Sequence, residues 1–162
     1  MDAIRDILAG VREGSLSVSE RYAVGPARVQ LQNKNPEAWA RFASALGAHS
    51  ATGMARTMLG VQRERPSLYD LQHELRQLTV PVLILAGDED DGCLEADLML
   101  KRTIPSAGLA VLPNTGHTCN LEEPELFNRT VDEFLAAVEG GRWPVRDPRT
   151  CRTSVTGMSD DT

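Results

Sequence analysis

The run Val80–Ala86, "VPVLILA", constrains the fold more than any other stretch of this chain. It is far shorter than the roughly 20 apolar residues that cross a bilayer, and apolar and polar side chains do not alternate in it. A strand of this kind needs cover on both faces, as in a parallel sheet. It ends at Gly87, and Asp88, Glu89 and Asp90 follow at once. A second short apolar run, "GLAVLPN", ends in Pro113-Asn114-Thr115-Gly116-His117. Residues 94–102 between the two runs have helical spacing, and Pro105 follows them. After the second run, Glu123–Val138 reads as a long helix with Leu126, Val131, Phe134, Leu135 and Val138 facing inward. Strand, helix, strand, helix predicts a right-handed parallel crossover and an α/β class.

The first half reads as helices. Ile4, Ile7, Leu8 and Val11 make a helical stripe over residues 2–13. "VSERYAVGPARVQLQ" is ambiguous and is broken at Gly25-Pro26. Asn35 caps a helix whose first residue is Pro36, with Trp39, Phe42, Ala43 and Leu46 on one face. A further helix is expected over Ala51–Val61 with Met54, Met58 and Leu59 inward. Another is expected after Ser67, with Leu68, Leu71, Leu75 and Leu78 at helical spacing. Residues after Gly140 are rich in Arg, Pro, Ser, Thr and Asp and are expected to be mobile. The expected organisation is a helical region over 1–77, an α/β unit over 78–140 and a tail over 141–162.

Composition excludes several classes. With 41% apolar and 25% charged residues, a folded chain is expected rather than disorder. Aromatics are only 4%, so aliphatic side chains must fill the core. The net charge is −6 and the arginines are scattered without a basic, aromatic-flanked patch, so neither nucleic acid nor membrane is an expected partner. The charged N-terminus lacks the apolar core of a secretory signal, and Cys93, Cys119 and Cys151 are an odd number at wide spacing. A cytoplasmic location with free thiols is the expectation. A zinc site from Cys93, His117 and Cys119 is conceivable, but no CxxC or HxxxH pair supports it, and no cofactor is expected. Asn128-Arg129-Thr130 matches a glycosylation sequon inside a helical segment and is read as chance.

In open parallel sheets ligands bind beyond the carboxyl ends of the strands. Both strands here end in a group suited to chemistry: the acidic loop from Asp88 to Asp90, and His117. A carboxylate that accepts the Nδ1 proton of a histidine fixes its tautomer and leaves the other nitrogen free as a general base. The plainer reading is an exposed loop histidine near an acidic turn. His49 and His73 sit among helices without visible partners.

"VPVLILAGDEDDGCL" followed by "IPSAGLAVLPNTGHTCNLEEPELFNRTVDEFL" resembles the C-terminal end of the α/β-hydrolase family. The resemblance implies that Gly87 opens the acid loop, that Asp90 is the acid of a Ser-His-Asp triad, and that Gly116-His117 is the histidine loop. Asp88 is the competing acid, one residue past Gly87. "NLEEP", Asn120–Pro124, opens the final helix. The likeness covers residues 78–140 specifically and 28–77 more weakly, as a helical cap. The chain departs from the family's pattern at Asp91-Gly92-Cys93, where an apolar residue and a proline usually follow the acid; Cys93 reads as a small buried residue rather than a nucleophile.

The family's serine sits in G-x-S-x-G ahead of the acid, and no such motif occurs in this sequence. Ser15, Ser17, Ser19, Ser44, Ser50 and Ser67 precede Asp90, and "HSATG" around Ser50 is the nearest imitation. The expected fold is therefore a partial α/β-hydrolase: helical cap region, then a β-α-β-α unit with two parallel strands. The expected function is that of the C-terminal portion of a hydrolase of small esters, lactones or related acyl compounds, inactive alone. The alternative is a non-catalytic interaction module that folds with a complementary N-terminal half or as a homo-oligomer. A redox or metal protein using Cys93 and Cys119 is the third reading.

Overall fold

The computed structural model describes residues 22–151. The helix expected over 2–13, Ser15, Ser17 and Ser19, and residues 152–162 lie outside the described residues, as does the side chain of Cys151.

Two strands, β1 (Val82–Gly87) and β2 (Ala107–Leu112), pair in parallel. The register runs from Val82 opposite Ala107 to Gly87 opposite Leu112. Both strands therefore end at the same level, and the loops that follow leave the sheet side by side. The first strand starts after Pro81, which has no N–H to give to a ladder; Val80 instead offers its carbonyl to the Ser106 hydroxyl. Helix α5 (Asp91–Thr103) joins the strands, and α7 (Pro124–Glu139) follows the short α6 (Cys119–Glu122). The core consists of Ile84, Ile104 and Ala107, with Leu75, Val82, Leu100 and Leu109 packed on them.

Cover of the sheet is uneven. Ile84, Ala86 and Gly87 are buried while Val82, Leu83 and Leu85 are only half-buried, and Val111 is 45% exposed. The expectation of a strand enclosed on both faces is thus met only in part among the described residues.

Upstream lie α1 (Val29–Lys34), α2 (Pro36–Gly47), α3 (Ala51–Thr57) and the single turn α4 (Gln72–Leu75). Asn35 caps α2 as expected, its side chain accepting from the Ala38 N–H at 2.9 Å, and Ala38, Trp39, Phe42, Ala43 and Leu46 form the covered face. Two expectations fail here. The helix from Ala51 passes into a π turn over Met58–Gln62, which shifts the stripe, and Leu59 faces solvent at 41% exposure. The segment from Ser67 does not form a long helix. Ser67 Oγ accepts from the Tyr69 N–H and Asp70 Oδ2 from the Ser67 N–H, local bonds that compete with a helical ladder. Leu68 stays exposed as a result, whereas Leu75 reaches the core.

In α7, Val131, Phe134 and Val138 are turned inward as expected, but Leu135 is 47% exposed. Over the described residues 141–151, the first part of the tail, the chain is tied to the sheet. Trp143 meets Phe134 edge to face with ring centroids 4.7 Å apart, and its Nε1–H donates to the Ser106 carbonyl at 2.7 Å. The Arg146 N–H reaches the Pro105 carbonyl at 2.8 Å. Among the described residues no helix is long and apolar enough to cross a membrane.

Candidate active site

The flush strand ends bring the two loops together, and backbone bonds hold them there. The Asp88 N–H donates to the Leu112 carbonyl at 3.0 Å and the Glu89 N–H to the Thr115 carbonyl at 2.9 Å. The Asp88 carboxylate accepts from the Thr115 N–H at 3.0 Å. That bond and one from the Asn114 N–H hold the Asp88 carboxyl below its ordinary pKa. Asp88 is therefore a tie between the loops, not the partner of the histidine. Gly87 permits the approach: a Cβ there would lie 2.1 Å from the Thr115 carbonyl oxygen and 2.3 Å from that of Gly116. Asn114 turns the second loop with φ of 52°, a conformation asparagine tolerates better than most residues.

Asp90 and His117 meet across these tips. His117 Nδ1 lies 2.7 Å from Asp90 Oδ2. An ionised carboxylate only accepts, so the hydrogen bond puts a proton on Nδ1, and in the neutral imidazole the Nε2 lone pair is then the free one. Asp90 is buried, while the His117 side chain is 44% exposed. The aspartate stands at the N-cap of α5, and the histidine main chain is fixed by its N–H bond to the Ala27 carbonyl at 3.2 Å.

Glu122 was not foreseen. It is buried and accepts from the Gly116 N–H at 2.5 Å, the Thr118 N–H at 3.0 Å and the Thr118 hydroxyl at 2.6 Å. Its carboxylate closes the histidine loop from below. The only hint in the sequence is the acidic residue five positions after His117, which also reads as an ordinary first-turn helix acid. The upstream helices close the other side: Gln30 Nε2–H donates to Glu89 at 2.6 Å, and Lys34 pairs with Glu123 at 2.5 Å.

A cavity of about 380 Å³ opens over the pair, lined among others by Tyr22, Pro26, Arg28, Asp90, Cys93 and His117. Arg28 is buried, with its guanidinium carbon 5.2 Å from the ring centroids of both Tyr22 and Phe42. Its side chain bonds the Ala27 carbonyl and the Tyr22 hydroxyl, and its Nε has no partner among the described residues. Nothing local in the sequence distinguishes this arginine from the others.

Cys93 stands one helical turn after Asp90, and its Sγ lies 3.8 Å from His117 Nδ1. Burial, then a hydrogen bond to Asp90, pushes this thiol up to about 11, so it stays protonated at neutral pH and is a poor nucleophile. Cys119 does not join it. Its Sγ donates to the Gly116 carbonyl at 3.4 Å, and burial raises its pKa. The trio of Cys93, His117 and Cys119 conceived from the sequence is thus not assembled, and Asp90 stands where Cys119 was expected. Asp97 lies near enough for the Asp90 charge to add to burial in raising its carboxyl. His49, His73 and Ser50 do not line the cavity; His73 bonds Gln77 instead, at 2.9 Å.

No family model matches the sequence. The chain is 30% identical over 87 residues to a putative 2-succinyl-6-hydroxy-2,4-cyclohexadiene-1-carboxylate synthase of Bacillus subtilis (strain 168). That match covers 53% of this chain and 31% of the relative. It is 33% identical over 64 residues to protein ABHD14A of Rattus norvegicus, covering 40% of this chain and 26% of the relative. Among solved structures, MenH from S. aureus superposes with a TM-score of 0.74 at 19% identity, over 84% of this chain and 51% of that one. Est816, described as an N-acyl homoserine lactone degrading enzyme, gives 0.59 at 20% identity, over 80% and 51%. The matched segments span less than a third of the two curated relatives and about half of the two solved chains.

Proposed function

We propose that this chain, whose likeness to the curated relatives and to the folds of MenH and Est816 supports the α/β-hydrolase family, is the C-terminal portion of a hydrolase of small esters, lactones or related acyl compounds. Asp90 and His117 are the acid and base of its triad, and the serine comes from a segment this sequence does not contain. One observation carries the reading: the 2.7 Å bond between His117 Nδ1 and Asp90, made at level strand ends beside a cavity.

In this reading the serine Oγ attacks the substrate carbonyl while His117 Nε2 takes its proton. The histidine then returns that proton to the leaving group. Asp90 keeps the imidazole in the required tautomer and stabilises the imidazolium. Glu122 and Asp88 act through His117 by holding its loop, so both are positioning residues. The description of Est816 as lactone-degrading supports the acyl class. The partners are a small acyl substrate and the segment that bears the serine, and the location is cytoplasmic.

The test offers the chain a p-nitrophenyl ester and a serine-directed phosphonate, alone and joined to an upstream-encoded segment with G-x-S-x-G. Expected are no turnover and no label alone, and turnover in the joined protein that falls with His117→Ala. Turnover and labelling by the chain alone overturns the reading.

A second reading is favoured by the sheet itself. Among the described residues it has two strands, each with an unpaired outer edge, and Val111 stands exposed. Unpaired edges favour association, so the chain would act as a module that folds against a complementary half or another copy. A sharply melting monomer in size-exclusion chromatography and circular dichroism contradicts this second reading.

A further inference from the structure

Asp90, Cys93 and His117 each offer a ligand atom, and these atoms lie within 4.8 Å of one another. One is a carboxylate oxygen, one a sulfur and one an imidazole nitrogen, the three donor types that zinc accepts. They come from rigid parts: the N-cap and first turn of α5, and a histidine loop pinned by Glu122 and by the Ala27 carbonyl. The cavity leaves an open side at which a water can complete a tetrahedron.

We propose that Asp90, Cys93 and His117 form a binding site for one zinc-class divalent ion. Tetrahedral zinc with bonds of about 2.0 Å to N and O and 2.3 Å to S has N···S and N···O edges of roughly 3.5 and 3.3 Å. The Cys93 Sγ to His117 Nδ1 separation of 3.8 Å is already close to the first. The 2.7 Å hydrogen-bonded gap between Nδ1 and Asp90 must open by roughly 0.6 Å, a shift open to a histidine that is 44% exposed. With a carboxylate and a thiolate bound, a dipositive ion is neutralised, which suits a site shared with the buried cation Arg28.

The protons balance as follows. The Cys93 thiol loses its proton to solvent and forms the S–metal bond. The imidazole proton leaves Nδ1, whose lone pair binds the metal, and Nε2 becomes the N–H nitrogen. From a thiol and a neutral imidazole, one proton is released for each ion. On the proposed hydrolase reading, the metal would then inhibit by removing the Nε2 lone pair. Metal binding itself does not depend on that reading.

Cobalt(II) is titrated into the full chain under reducing conditions and followed by sulfur-to-cobalt charge-transfer absorption. Zinc is measured by competition with a chromophoric chelator, and proton release in a weakly buffered solution. Expected are one equivalent bound, a charge-transfer band and one proton released. Cys93→Ser should weaken binding at least tenfold, and Cys119→Ser or Cys151→Ser should leave it unchanged. Long-range 15N spectra of the zinc-loaded wild-type chain should place the metal on Nδ1 and the proton on Nε2 of His117. No band, a band retained in Cys93→Ser, or a metal on Nε2 overturns the proposal. Because no readout uses a substrate, a chain that binds zinc and never contributes to ester hydrolysis separates this proposal from the hydrolase reading.

Discussion

At the scale of single residues, short-range geometry divides the acids near His117 into distinct tasks. Asp90 faces the imidazole, Asp88 ties two loops and Glu122 closes one of them. In the joined enzyme, Asp90→Asn should lower kcat by about 10⁴, because the amide favours the wrong imidazole tautomer; steady-state kinetics checks this. Glu122→Gln removes the charge from three hydrogen bonds and should cost about 1–3 kcal/mol. Denaturant midpoints measure the loss, and the histidine-loop amides should exchange faster. Asp97 carries a sign that can be tested. Burial and the Asp90 charge raise its carboxyl above the usual value, so its contribution to stability is present below the unfolded pKa and is lost as pH rises through the folded one. Asp97→Asn should therefore raise the unfolding midpoint at pH 7 and leave it nearly unchanged at pH 3. Asp88 has the opposite sign. Its carboxyl is lowered by the Thr115 and Asn114 N–H groups, so the tie holds above its ordinary pKa and is lost as the pH falls through the depressed one.

At the scale of elements, the strand tips and the turns after them do most to position the site. Gly87→Ala would drive a methyl group into the Thr115 and Gly116 carbonyls. It should separate the two loops and break the Asp90–His117 bond, which amide and imidazole NMR shifts would report. Trp143→Ala removes a half-buried ring from Phe134 and from β2; it should cost about 2 kcal/mol, less than the ~3–5 of a fully buried aromatic. These elements were unequally legible. The apolar run before Gly87, the Asn35-Pro36 start and the Gly116-His117 turn are local signals, and each gave the right type of element. Leu59, Leu68 and Leu135 misled, since helical spacing states which residues share a face but not what covers it. A π turn at Met58–Gln62 and side-chain bonds around Ser67 moved the first two into solvent. The opposition of Asp90 to His117 was legible because parallel strands align their tips. The places of Cys93, Glu122 and Arg28 depend on packing between elements distant in sequence, and no spacing encodes that.

At the scale of the whole molecule, the two-stranded sheet among the described residues, with Val111 exposed, and a sequence that carries no G-x-S-x-G point to the same need under the proposed hydrolase reading. A sheet of this kind needs more strands to cover its apolar side chains, and in the proposed reading the pair needs a nucleophile on a neighbouring strand tip. One complementary segment would meet both needs, so adding it should sharpen the thermal melt and create ester turnover together. The central claim, that Asp90 sets the tautomer of His117, is tested most directly by the long-range 1H–15N spectrum of the His117 ring without metal, compared with that of Asp90→Ala. The proton should reside on Nδ1 in the parent chain, with a pyridine-like Nε2, and this preference should vanish in the variant. A proton on Nε2 in the parent chain, or a spectrum unchanged by the substitution, contradicts it.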